Sequence, residues 1–138
     1  MKYFLDTNIC IYFLNDKFRS IRVKLGGISR HDIKIPSIVT AELYYGAAKS
    51  NKRDYNTDRY RRFVSAYEIV PFDHNASQIY GEIRSYLEAK GRPIGWNDIL
   101  ITATVLAHNG VLVTHNTGEF SRIEGLALED WTSDLSQR

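Results

Sequence analysis

Tyr3-Phe4-Leu5-Asp6-Thr7-Asn8 is the stretch on which the reading of this chain turns. A short apolar run ends on a carboxylate, and Thr7 or Asn8 caps the apolar helix that follows, Asn8 to Leu14. The same alternation recurs downstream. Ile33 to Ile35 reads as a second strand, and Pro36-Ser37 leads into a helix from about Ile38 to Lys49 with Val39, Leu43 and Ala47 on its apolar face. Glu68 to Phe72 is a third strand. The long helix after it, Asp73 to Lys90, carries Ala76, Ile79, Tyr80, Ile83 and Leu87 on one stripe and ends at Gly91 and Pro93. A helix from Asn97 to about Asn109 stops at Gly110, and Val111-Leu112-Val113 is a fully apolar strand. Gly125 to Leu128 reads as an edge strand. Two further helices are expected, about Phe18 to Leu25, closed by left-handed Gly26-Gly27, and Asp58 to Tyr67, capped by Thr57 after a loop over residues 50–57.

Short apolar strands alternating with longer amphipathic helices predict an α/β fold, a three-layer α/β/α sandwich around a central parallel sheet. The 138 residues suffice for one domain with a sizeable core, and no linker or repeat divides them, so residues 1–138 are expected to form a single unit. The longest apolar run, Ile9 to Leu14, is six residues against the ~20 of a membrane helix. The opening Met-Lys-Tyr-Phe-Leu-Asp lacks the features of a signal peptide, and the single Cys10 forms no internal disulfide. A reducing cytoplasm is the expected compartment.

The net charge of +2 conceals a division: residues 1–70 carry 13 Lys and Arg against 7 Asp and Glu, residues 71–138 carry 5 against 9. Basic side chains cluster at Lys17 to Lys24 and at Lys49 to Arg62, with tyrosines at 44, 45, 55 and 60 among them. Such a rim suits a polyanion such as RNA, with Arg59, Arg61 and Arg62 as phosphate contacts. The same charges also suit a solvated helical face.

In a parallel sheet, ligands gather at the carboxyl ends of the strands. Asp6-Thr7-Asn8 follows the first strand, Thr114-His115-Asn116-Thr117-Gly118-Glu119 follows Val113, Glu42 sits in the helix after the second strand, and Asp98 opens its helix beside Asn97. Each acid alone has an ordinary explanation, as a cap, a partner of the helix dipole or a surface charge. Together, with hydroxyl and amide side chains at Thr7, Asn8, Asn97, Thr114 and Asn116, they read as an oxygen-rich cation site. Magnesium and manganese prefer such ligands, and close buried carboxylates repel unless a cation neutralises them.

Rival chemistries lack their residues. No Gly-x-Gly-x-x-Gly follows a strand and no P-loop is present. A phosphoaspartate enzyme wants a second Asp where this chain has Asn8, the four histidines lack metal-pair spacing, and Cys10 lies in an apolar helix. The carboxylates remain as the catalytic candidate.

Leu5-Asp6-Thr7-Asn8, Thr40-Ala-Glu42-Leu-Tyr44-Tyr-Gly46-Ala, Tyr80-Gly81-Glu-Ile83-Arg84 with Gly91-Arg-Pro93-Ile94-Gly95, Asn97-Asp98 with Ile101, and Val113-Thr114-His-Asn116 with Glu119-Phe120 resemble, in this order, the PIN-domain ribonucleases of the VapC toxin type. The resemblance runs from residue 3 to about residue 131. It implies a PIN-like fold and a magnesium-dependent endoribonuclease toxin acting on structured RNA such as tRNA or rRNA. It further implies a homodimer restrained by a cognate VapB-type antitoxin. The family's acidic positions fall on Asp6, Glu42 and Asp98. Many members carry a fourth, an Asp, near Asn116; here the available acid is Glu119. Thr7, Thr114 and Asn116 would then orient the ligands. Gly118 and Thr102 depart from the Arg and Ala common at those places.

Two other functions fit the same residues. One is a catalytically weak module that binds RNA or antitoxin without cutting; the other is a metal-dependent phosphatase of small substrates.

Overall fold

The computed structural model describes residues 1–133. Its sheet is built from β1 (Tyr3–Leu5), β2 (Ile33–Pro36), β3 (Glu68–Val70), β4 (Val111–Val113) and β5 (Ala127–Glu129), all parallel, in the order β3-β2-β1-β4-β5. The helices are α1 (Thr7–Leu14), α2 (Arg19–Gly27), α3 (Ser37–Ala48), α4 (Arg53–Val64), α5 (His74–Ala89), α6 (Trp96–Ala107) and the single turn α7 (Thr117–Phe120). The chain winds outward from β1 through β2 to β3, then crosses back over β1 to β4 and β5. Right-handed crossovers running in opposite directions place their helices on opposite faces of the sheet, which yields the three layers. The reversal falls between β1 and β4, so the crevice at their carboxyl ends is the topological switch point where open α/β sheets bind ligands.

The strands need no alternation because both faces are covered. Phe4, Leu5, Ile33, Ile35, Leu112 and Val113 are all buried, packed against Ile9, Val39, Leu43, Ile99 and Val105 from the helices. Trp131, just beyond β5, is buried against Tyr3 of the central strand β1, with ring centroids 5.7 Å apart.

Several local expectations are corrected. Asp6, not Thr7 or Asn8, caps α1: its Oδ1 accepts from the Ile9 amide at 2.9 Å. Gly26 and Gly27 continue α2, and the left-handed glycines are Gly91 and Gly125. α4 begins at Arg53 rather than Asp58, so Thr57 lies inside it. The polar run 50–57 contains no apolar period, but Phe63 and Val64 reach the core and fix the helix from its far end. A 3-10 turn at Arg30–Asp32 and the short α7 had no periodic signal to announce them.

Candidate active site

Asp6 stands at the end of β1, its amide bonded to the Val113 carbonyl at 3.1 Å, which locks it to the end of β4. The residue is 7% exposed. Burial pushes its carboxyl above the usual range, helped by the charges of Glu42 and Asp130, against the opposing hydrogen bonds from the Thr114 hydroxyl and the Ile9 amide.

Glu42 comes from the middle of α3 and is held from two sides. Thr7 Oγ1, in the first turn of α1, donates to Oε1 at 2.5 Å, and Asn97 Nδ2, in the first turn of α6, donates to Oε2 at 3.2 Å. Glu119 is held in the same way from the other flank. Asn116 Nδ2 donates to its Oε2 at 3.2 Å and the Gly95 amide to its Oε1 at 3.4 Å. Thr114 is fully buried, and its Oγ1 accepts from the Asn116 amide at 3.0 Å, fixing the loop that presents Asn116.

Asp98 lies between these flanks, and its carboxyl is pushed up to about 7. Burial is the largest cause, followed by a shared hydrogen bond and charge repulsion with Glu119, then by the charges of Glu42 and Asp6. Four acids from four separate elements thus act on one another at one edge of the sheet. One helix turn beyond Asp98, the buried Thr102 hydroxyl has no hydrogen-bond partner among the described residues.

The structure therefore brings together Asp6, Glu42, Asp98 and Glu119, with Thr7, Thr114 and Asn116 bonded to the acids or to the loop that carries them. It keeps the three arginines elsewhere. Arg59 turns inward, donating to the Leu14 carbonyl at 2.7 Å and to Asn15 Oδ1 at 3.2 Å, so it joins α4 to the end of α1. Arg61 and Arg62 stay in solvent, paired with Asp58 on their own helix. Asp130 was not singled out in the sequence, yet its charge reaches Asp6. The rule that found Asp6 applies to it, since Asp130 directly follows β5. Hydrogen bonds from the Thr132 hydroxyl and amide and from His115 hold its carboxyl low despite the opposing effect of burial.

None of the four central acids forms an ion pair with Lys or Arg among the described residues. As the side chains stand, no three His, Cys, Asp or Glu among those residues enclose an ion; Glu42 is drawn to Thr7 and Asn97, and Glu119 to Asn116 and Gly95. The donor chemistry nevertheless fits a hard divalent cation: all-oxygen ligands, mutual repulsion focused on Asp98, and neutral hydroxyl and amide partners in place of competing cations.

Fold and site together define an α/β protein with a five-stranded parallel sheet and carboxylates gathered at its topological switch point. The chain belongs to the PIN domain family, whose model matches residues 3–126. It is 45% identical over 132 residues to ribonuclease VapC2 of Rickettsia felis, covering 95% of this chain and 98% of that protein. It is 36% identical over 132 residues to the tRNA(fMet)-specific endonuclease VapC of Shigella flexneri, covering 96% and 99%. Among solved structures it is similar to VapBC2 of Rickettsia felis bound to a DNA fragment from its promoter, with TM-score 0.89, 44% identity and coverage of 95% and 99%. It also resembles DNA-bound VapBC of Salmonella typhimurium, with TM-score 0.90, 37% identity and coverage of 95% and 98%. The likeness to VapC-type toxins carried by the motifs is thereby borne out.

Proposed function

We propose that this protein is an endoribonuclease, the toxin of a type II toxin-antitoxin pair, and that Asp6, Glu42, Asp98 and Glu119 form its catalytic centre. The observation that carries this reading is the convergence of the four acids from four separate elements, where burial and the neighbouring carboxylates of Glu119, Glu42 and Asp6 push the Asp98 carboxyl up. Relatives that match nearly the whole chain are named ribonuclease and tRNA(fMet)-specific endonuclease. Structured RNA such as tRNA is the substrate class, consistent with the name of the Shigella relative.

The same acids are proposed to hold a divalent cation, magnesium, with manganese as a substitute. When bound, such an ion supplies Lewis acidity to water and to the phosphodiester. The chain's own residues supply the positioning. Thr7 and Asn97 fix both oxygens of Glu42, Asn116 and Gly95 fix Glu119, and the helix cap fixes Asp6. Ligands held by such partners lose little freedom when they bind. Arg61 and Arg62 are proposed to contact phosphates at a distance from the cut, adding salt-dependent affinity without sequence choice.

The partner is proposed to be a VapB-type antitoxin, as in the VapBC complexes that this chain resembles. Beside Glu42 runs an open groove of about 610 Å³ lined by Ile11, Ile38, Tyr45, Lys49 and others. An antitoxin segment lying there with apolar side chains brings a guanidinium within reach of the acids. The toxin is proposed to work as a cytoplasmic homodimer. No helix among the described residues is long and apolar enough to cross a membrane.

Incubation of the purified protein with total cellular RNA, with magnesium and with chelator, tests the reading. Discrete fragments that disappear with chelator are expected. Retention of RNA without fragments would instead favour the catalytically weak binding module.

A further inference from the structure

The chain has two tryptophans, and the fold treats them oppositely. Trp131 is buried, while Trp96 is 64% exposed at the first position of α6. Its neighbours on both sides belong to the acid cluster. The Gly95 amide donates to Glu119, and a Cβ on Gly95 would lie 3.7 Å from Asp98 Oδ2. Asn97 donates to Glu42, and Asp98 follows. The backbone that carries Trp96 is therefore fixed beside the acids by the bonds that order them. One face of its ring is covered by the Arg84 guanidinium, whose carbon lies 4.6 Å from the ring centroid. Arg84 is itself held by Glu88 Oε2 and Tyr80 Oη, each at 3.0 Å. A cation locked on one face sets the plane of the indole.

We propose that Trp96 is a stacking platform for a nucleobase of single-stranded RNA, held against its ring beside the scissile phosphate, with Arg84 as the positioning residue behind it. This rests on the nuclease reading above and adds to it a residue that positions the strand. Aromatic stacking tolerates every base, so the platform sets where the strand lies and leaves its sequence open. The ordinary role of such a pair, packing α5 against α6, does not need the exposed face.

Trp96 emission provides the test, because buried Trp131 serves as an internal reference. The probes are a 12-nucleotide oligoadenylate and an abasic 12-mer of equal charge. The expected result is that oligoadenylate quenches the exposed tryptophan and the abasic strand does not. Trp96→Ala is expected to bind oligoadenylate roughly tenfold more weakly, to bind the abasic strand as before, and to raise KM for RNA with kcat little changed. Trp96→Phe should retain most of the affinity. Equal quenching by both strands, or parental affinity and KM in Trp96→Ala, overturns the platform. Loss of oligomeric mass in Trp96→Ala by light scattering, with RNA affinity unchanged, also overturns it and assigns the ring to a protein interface. Quenching by a parent protein that cuts no RNA would leave the platform standing and remove the nuclease reading; cutting without quenching would do the reverse.

Discussion

Asp98 and Glu119 share a hydrogen bond across the crevice, one carboxyl from the first turn of α6 and the other from α7, and the Asp98 proton is retained to about pH 7. A carboxyl raised in the folded state binds a proton that the unfolded chain has already released above its ordinary value of 3.8. Folding stability from this group is therefore full below pH 3.8 and is lost as pH rises through about 7. In chelator, Asp98→Asn should melt above the parent at pH 8, by about 1 to 2 kcal/mol since water partly screens the site, and about level with it at pH 4. Thermal melts at the two pH values check this.

The three arginines of α4 should separate by role. Arg59→Ala removes donors from the Leu14 carbonyl and Asn15 and should cost about 1 to 2 kcal/mol in a denaturant melt. Arg61→Ala and Arg62→Ala break only exposed pairs with Asp58 and should stay within about 0.5 kcal/mol. If both contact phosphate, their double variant lowers the salt slope of RNA binding by about two.

The acids at strand ends were legible because β1 and β4 are short apolar runs, so the residues after them are marked by position. Glu42 was harder, since it lies on the flank of α3 and only its contacts with Thr7 and Asn97 tie it to the crevice. Position also marks Asp130, but β5 is exposed at Ala127 and reads weakly as a strand. Trp96 and Trp131 look alike in sequence; burial alone tells them apart, and burial is a property of the packed fold. Arg59 shows the same limit, because a contact 45 residues away decides whether its charge faces RNA or Leu14.

Gly110 tests the packing beneath the site. It follows Asn109, a left-handed residue that ends α6, and a Cβ built on it would lie 2.4 Å from Phe4 Cε1 and 3.2 Å from the Lys2 carbonyl. Gly110→Ala must displace the fully buried Phe4 ring, with an expected cost of about 1 to 3 kcal/mol by denaturant melt.

A guanidinium and a divalent cation should compete for the same acids. Titrating magnesium into the toxin-antitoxin complex is expected to weaken inhibition, and removing every Arg from the toxin-binding segment of the antitoxin should weaken it further. Unchanged inhibition by the Arg-free segment would place the contact outside the acid cluster.

The most direct measurement of the proposed centre is the single-turnover rate of RNA cleavage by the parent and by Asp98→Asn, each in magnesium and in chelator, at equal folded protein. Asn keeps the shape of Asp98 and removes its charge and proton. The expected result is cleavage by the parent in magnesium alone and a loss of at least about 100-fold in the variant, the scale on which removing one catalytic interaction is felt. Cleavage by Asp98→Asn at the parental rate, or cleavage that survives chelation, would contradict it.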